Sequence, residues 1–273
     1  MTSMNPDSYL LGQSSAEVER LKRQIVMLAS DSDAQLDRIG IKNGESVVDL
    51  GCGPGGVLHL LAERVGANGK VLGIDRSSQF VQLARRFIGD RGLPQVEVRE
   101  GDAYDTGLPK ASFDGAHMRL LLVNVPEPER IVRELVSLVR PGGWIASFEA
   151  DYVAHCLDPP PPAWARLLDA YAAYARAQGI DLSVGRHLHR LFRDAGVVDI
   201  QVDATINVFP ASHERRTFPC GLIGNVRDRV VEGGFISRES LERDIEALEQ
   251  YLSRPDVQVT SNLFFRLTGR LPK

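Results

Sequence analysis

The chain has 273 residues, 43% of them hydrophobic and 25% charged, a globular composition that excludes a disordered chain and suffices for a large α/β domain. Its 32 basic and 36 acidic residues give a net charge of -4, so no broad basic field gathers phosphates and nucleic acid is not an expected partner. With three scattered cysteines, Cys52, Cys156 and Cys220, and an opening stretch without basic-then-apolar order, neither a disulfide framework, a Cys-x-x-Cys zinc site, a leader nor a membrane span is expected, and the expected setting is cytoplasmic.

Ser14-Ser15-Ala16-Glu17 has the form of a capping box, and Val18, Leu21, Ile25 and Leu28 follow at helical spacing. One amphipathic helix is therefore expected in an N-terminal arm. From Glu45 onward apolar runs alternate with helical patterns. Strands are expected near 46–50, 70–75, 95–99, 113–118 and 144–149, and helices near 56–65, 78–88 and 127–139, a succession of βαβ units that builds a mainly parallel sheet. Asn68-Gly69 and Pro141-Gly142-Gly143 supply turns. Pro159 to Pro162 form a stiff spacer before a helix from Ala163, and 184–195 reads as a core helix ending at Gly196. The segments 198–208 and 257–268 are strand-like. Between them 215–252 carries two amphipathic patterns, Leu222, Val226, Val230 and then Leu241, Ile245, Leu248, separated by Gly233-Gly234. They read as two helices of a lid with a glycine hinge, or as a dimer interface.

The chemistry centres on Val47-Val48-Asp49-Leu50-Gly51-Cys52-Gly53-Pro54-Gly55-Gly56, a strand entering a glycine-rich turn before a helix. Gly51, Gly53 and Gly56 also satisfy the dinucleotide fingerprint, a weak signal. Asp49 separates the two readings: an acid there repels a pyrophosphate but suits the ammonium group of a methionine moiety, so S-adenosylmethionine fits better than NAD. Asp75 closes the second strand 24 residues after Gly51, near the offset of a ribose-binding acid.

These motifs, with Gly101-Asp102-Ala103, the run from Phe113-Asp114 to Arg119 and Arg140-Pro141-Gly142-Gly143-Trp144, resemble the class I S-adenosylmethionine-dependent methyltransferases over residues 45–149. The resemblance implies an α/β fold: a Rossmann-like, mainly parallel seven-stranded sheet with a helical arm (1–40), a cofactor-binding core (41–210), a helical lid insertion (211–256) and a final core strand (257–273). It also implies that Asp49, Gly51 and Gly53 hold the methionine end, that Asp75 takes the ribose hydroxyls, and that Asp102 and Ala103 meet the adenine. Cys52, Arg76 and Arg119 complete the cofactor set, although packing alone explains a small side chain at Cys52.

The stretch from Tyr9 to Gln24 is similar to the arm of bacterial natural-product methyltransferases related to the ubiquinone and menaquinone enzymes. That likeness implies an arm closed over the cofactor, with Tyr9, Arg20 and Gln24 touching the methionine end or the acceptor; polar surface residues of a docked helix are the alternative. The tail from Phe264 to Arg270 is similar too, but lacks the tryptophan that often stands at the place of Leu267 or Thr268. The implied reaction is methyl transfer to a small organic acceptor of secondary metabolism, such as antibiotic biosynthesis. The alternatives are non-methyl chemistry on the same fold and a cofactor-sensing module.

Open α/β sheets bind ligands at the C-terminal ends of their strands, so Asn124, Glu149, Asp151, Tyr152 and His155 are expected at the mouth of the site. His155 and Asp151 are the catalytic candidates, against a solvated histidine and a turn aspartate. Asn124 stands where related enzymes often carry a histidine. His187 and His189 lie two apart on a helix and cannot share a ligand, so no metal is expected, and His117 reads as a core histidine. An apolar arm helix also allows a homodimer.

Overall fold

The computed structural model describes residues 15–273. Ser14, the cap of the expected box, and Tyr9 lie outside them. The arm holds two helices rather than one, Ser15–Met27 (α1) and Ala29–Ile39 (α2). The second buries Ser32, Gln35, Leu36 and Ile39, a helical stripe that is half polar and so gives no hydrophobic period. Gln35 is tolerated there because its Nε2 donates to the carbonyls of Ser147 and Leu267, both at 2.9 Å.

The core alternates as the apolar pattern requires. Ser46–Leu50 (β1), Leu58–Val65 (α3), Lys70–Asp75 (β2), Ser78–Gly89 (α4), Val96–Glu100 (β3), Phe113–Arg119 (β4) and Pro128–Leu138 (α5) lie close to their expected places. The fifth strand, Val139–Asp158 (β5), is far longer than expected, because the last strand, Gln258–Arg270 (β8), runs antiparallel beside it from Trp144 to Asp158. The predicted turn at 141–143 falls where β5 leaves register with β4, between the pairs Phe113–Val139 and Gly115–Trp144.

Beyond β5 come Pro162–Ala177 (α6), Leu188–Asp194 (α7), Val198–Thr205 (β6), Val208–Phe209 (β7), Phe218–Glu232 (α8) and Arg238–Ser253 (α9). The helix expected at 184–195 is thus only α7, preceded by a 3-10 turn at Val184–His187. A Cβ at Gly185 would lie 3.0 Å from the Ala150 carbonyl, so the turn is pressed against the sheet. The strand expected at 198–208 is split in two. This makes eight strands among the described residues instead of seven: the path is β3-β2-β1-β4-β5-β8-β6, and β7 pairs with β8 off that path. The first five strands are mutually parallel, and β8 is antiparallel to its neighbours. The chain order reverses between β1 and β4, which opens a crevice at their C-terminal ends.

One face of the sheet is covered by α2, α3 and α4, which share a core with Val47, Val71 and Ala146. The larger core on the other face includes α5, α6, α7, α8 and α9. The helices expected as a separate lid are therefore packed with α6: Arg166 pairs with Asp244, and the rings of Tyr174 and Phe235 meet edge to face. Gly233-Gly234 lies at the end of α8. Its amides and that of Phe235 donate to the Arg229, Val231 and Val230 carbonyls, closing the last turn of α8.

Candidate functional site

The turn after β1 carries Gly51 and Gly53 with positive φ, 70° and 55°. At Gly53 a Cβ would meet nothing within 4 Å, so the missing side chain leaves open space rather than room for packing. Its amide donates to Asp75 Oδ2 at 2.8 Å, and the Ser77 amide donates to Oδ1 at 2.9 Å. The carboxyl at the end of β2 is thereby fixed across the crevice from the glycine turn. Burial pushes the Asp75 carboxyl above its usual range, while the two N–H donors oppose the shift.

A cavity of about 970 Å³, counted to its open mouth, follows this crevice. Gly51, Gly53, Asp75, Arg76, Asp102, Ala103, Arg119, Arg20 and Gln24 all line it, as do Asn124 and Tyr152. Nine of the expected cofactor residues are therefore together. Ser77 and Tyr104 also line the cavity; both directly follow residues already singled out. The Tyr104 hydroxyl donates to the Pro126 carbonyl, tying the turn after β3 to the one after β4.

Asp49 and Cys52 do not line this cavity. Asp49 is 2% exposed, and its Oδ1 lies 2.7 Å from Nδ1 of His117, the neighbour across the β1–β4 ladder. Its carboxylate acts through what stands above it: burial lowers the Arg119 guanidinium to about 10, and the charge of Asp49 counters that shift. The Arg119 side chain lies against Gly56, where a Cβ would be 2.8 Å from Nη2. Cys52 points into the core, with burial raising its thiol well above the ordinary value.

The two catalytic candidates are not brought to the cavity. Asp151 is fully buried, accepts the amides of Val153 and Ala154 and is ion-paired to Arg186. His155 sits within β5, where its Nδ1 is 3.1 Å from Asn262 Oδ1 and its ring faces Trp164 at 5.3 Å. Burial lowers its pKa, opposed by the Asn262 bond. Both readings assumed a loop after residue 149, and the chain there is strand. His187 lies 3.4 Å from Asp181, and among the described residues no three His, Cys, Asp or Glu are grouped to hold a metal.

Glu149 shapes the site from behind. It accepts the amides of Leu121, Leu122 and Val123, and so fixes the turn carrying Leu121 and Asn124 into the cavity. Burial pushes its carboxyl up to about 8, and these three donors pull it down. Since the folded value exceeds that of an unfolded glutamate, the folded state binds more protons between about pH 4.3 and 8, and stability falls as pH rises through that window. Glu149→Gln is expected to flatten this slope in thermal melts between pH 6 and 8. An unchanged slope would remove Glu149 as its source.

The comparisons agree with this geometry. A family model described as a methyltransferase domain matches residues 47–143. A 37.1 kDa uncharacterized protein of transposon TN4556 from Streptomyces fradiae is 33% identical over 80% of this chain and 62% of its own length. Demethylmenaquinone methyltransferase of Listeria welshimeri is 29% identical over 49% of this chain and 54% of its own. The chain thus spans less than two thirds of the length of either relative. Among solved structures, Haemonchus contortus phosphoethanolamine N-methyltransferase 2, in complex with phosphomonomethylethanolamine and S-adenosylhomocysteine, superimposes with a TM-score of 0.56 at 16% identity, covering 89% of this chain and 53% of that one. That likeness is one of fold. No described helix is long and apolar enough to cross a membrane.

Proposed function

We propose that this chain, a class I S-adenosylmethionine-dependent methyltransferase by its fold and its methyltransferase domain, moves the methyl group of that cofactor to a small organic acceptor. The observation that carries the reading is a single cavity at the switch point of the sheet, holding the glycine turn, Asp75 and Asp102–Ala103 in sequence along one wall. The open space at Gly53 and the two-sided anchoring of Asp75 fit an extended ligand bearing a ribose.

When bound, the cofactor supplies a methyl group on a sulfonium leaving group. Asp75 would accept the ribose hydroxyls on the lone pairs left free by Gly53 and Ser77, and Asp102 and Ala103 would border the adenine. Arg119, kept positive by Asp49, would face the methionine carboxylate. The protein's main task is then to align the acceptor with the methyl carbon and exclude water. Tyr152 also lines the cavity, and burial pushes its phenol up to about 12, which makes it a hydrogen-bond donor rather than a base. With His155 and Asp151 away from the cavity, an acceptor atom that is already nucleophilic suits the site best. The arm-like sequence before α1 supports a secondary-metabolite acceptor, and α8 and α9 with α6 are its proposed cover.

The test is calorimetric titration with S-adenosylhomocysteine, followed by an assay for its formation from S-adenosylmethionine. No binding at millimolar concentration would overturn the reading. Gly53→Ala should cost about 1 kcal/mol of stability, since an alanine there is held at positive φ, while affinity falls at least about tenfold because the new methyl stands in ligand space. Unchanged affinity would place the ligand elsewhere.

A further inference from the structure

A second hollow opens between α1 and the turn Glu214–Thr217 that leads into α8, with about 1070 Å³ free of protein atoms to its open mouth. Arg20 borders both this hollow and the cofactor cavity. The charge of the hollow is one-sided. Arg20 is forked onto Glu17, and Lys22 onto Glu19, but Arg23 and Arg215 have no carboxylate partner among the described residues. Arg23 reaches the Glu19 carbonyl at 3.4 Å. Nε of Arg215 is buried without a hydrogen-bond partner among the described residues. Beside Glu214, Thr217 and Gly221, the remaining wall is apolar: Met27, Phe218 and Val26, the last 76% exposed.

We infer that this hollow receives the acceptor, and that the acceptor is an anion with an apolar body; the inference rests on the methyl-transfer reading above. Two guanidinium groups without carboxylates select a negative head group, carboxylate or phosphate, by charge-assisted hydrogen bonds. Val26, Met27 and Phe218 gain by covering apolar surface. Arg20 is shared by the two linings, so a molecule seated in this hollow lies next to the cavity assigned to the cofactor. Glu214 is the one acid among the described lining residues, and it disfavours a head group placed against it rather than against Arg23 and Arg215.

The test uses the full chain saturated with S-adenosylhomocysteine and the fluorescent probe 8-anilinonaphthalene-1-sulfonate, an anion with an apolar body. Probe affinity should fall at least tenfold in the double variant Arg23→Glu, Arg215→Glu, and should not move in Arg190→Glu, Arg193→Glu, which makes the same charge change on α7. Decanoate should displace the probe and decan-1-ol should not. If Arg215→Glu prevents folding, Arg23→Glu with Lys22→Glu carries the test. Equal probe affinity in the hollow variants, or equal displacement by the alcohol, overturns the inference. So does a tenfold gain in probe affinity on removing residues 1–14, which would make the hollow the seat of the chain's own N-terminal segment. Failure of S-adenosylhomocysteine to bind the unsubstituted protein is a separate result, and it falls on the methyl-transfer reading.

Discussion

Asp75→Ala should lose S-adenosylhomocysteine affinity by about a hundredfold while the protein stays folded. Each ribose hydroxyl donating to a carboxylate contributes about 1.5 kcal/mol or more, and two such bonds correspond to a factor of about 100. The carboxyl is also what holds the Gly53 and Ser77 amides at the mouth of the crevice, so the variant loses preorganisation as well. Asp75→Asn retains one acceptor oxygen and should fall between the two, near tenfold. The pH dependence follows from the direction of the shift. Burial raises the folded pKa of Asp75, and ribose hydroxyls donate to the ionised form, so affinity should weaken on acidification and binding should release protons at the acid end. Isothermal titration in two buffers of different ionisation enthalpy measures that release. A folded Asp75→Ala protein that binds as tightly as the parent would show that the ribose lies elsewhere.

The parts of the site legible in the sequence were those set by local backbone demands. Gly51 and Gly53 announce a turn with positive φ, and Asp75 announces itself by standing at the end of the next strand. The parts that were not legible depend on pairing across long sequence distances. His155 reads as a loop residue because nothing near it reveals that β8, more than a hundred residues later, extends β5 and places Asn262 opposite it. Asp49 stands out in the sequence as a strand acid before the glycine turn, but the β1–β4 register sets it beside His117, and it does not line the cavity. The α2 helix escaped notice because two of its four buried residues, Ser32 and Gln35, are polar and satisfy the sheet through hydrogen bonds rather than through apolar periodicity. The amphipathic stripes of α8 and α9 are visible in the sequence, and so is the start of α6 after the proline spacer, but the packing of the three against one another is a long-range pairing that is not.

Those stripes bear on the last expectation, which concerns how firmly α8 and α9 are attached. Leu222, Val226, Leu241 and Leu248 are at most 2% exposed and belong to the same core as β5, so cutting the pair away would expose the interior of the molecule rather than free a lid. The anchor is Arg216, at the foot of α8 and 3% exposed. Its guanidinium donates to the carbonyls of Phe209, Leu252, Arg254 and Val257, which gathers β7, the end of α9 and the approach to β8 around one cation. Arg216→Met fills a similar volume but leaves four buried carbonyls without donors, at a cost of about 3–5 kcal/mol if each loses roughly 1 kcal/mol. In a chain of this size that corresponds to a fall in Tm of roughly 6–15 °C. The same anchor holds α8 where Asn225 donates to Glu17 at 2.7 Å, and Glu17 in turn holds Arg20 beside the cofactor cavity. S-adenosylhomocysteine should therefore recover only part of the lost stability in Arg216→Met, because the arm that borders its site has lost its support from α8. Thermal melts of both proteins with and without the ligand test this, and a Tm within 1 °C of the parent would mean that water satisfies the four carbonyls and that α8 and α9 are held by their apolar stripes alone.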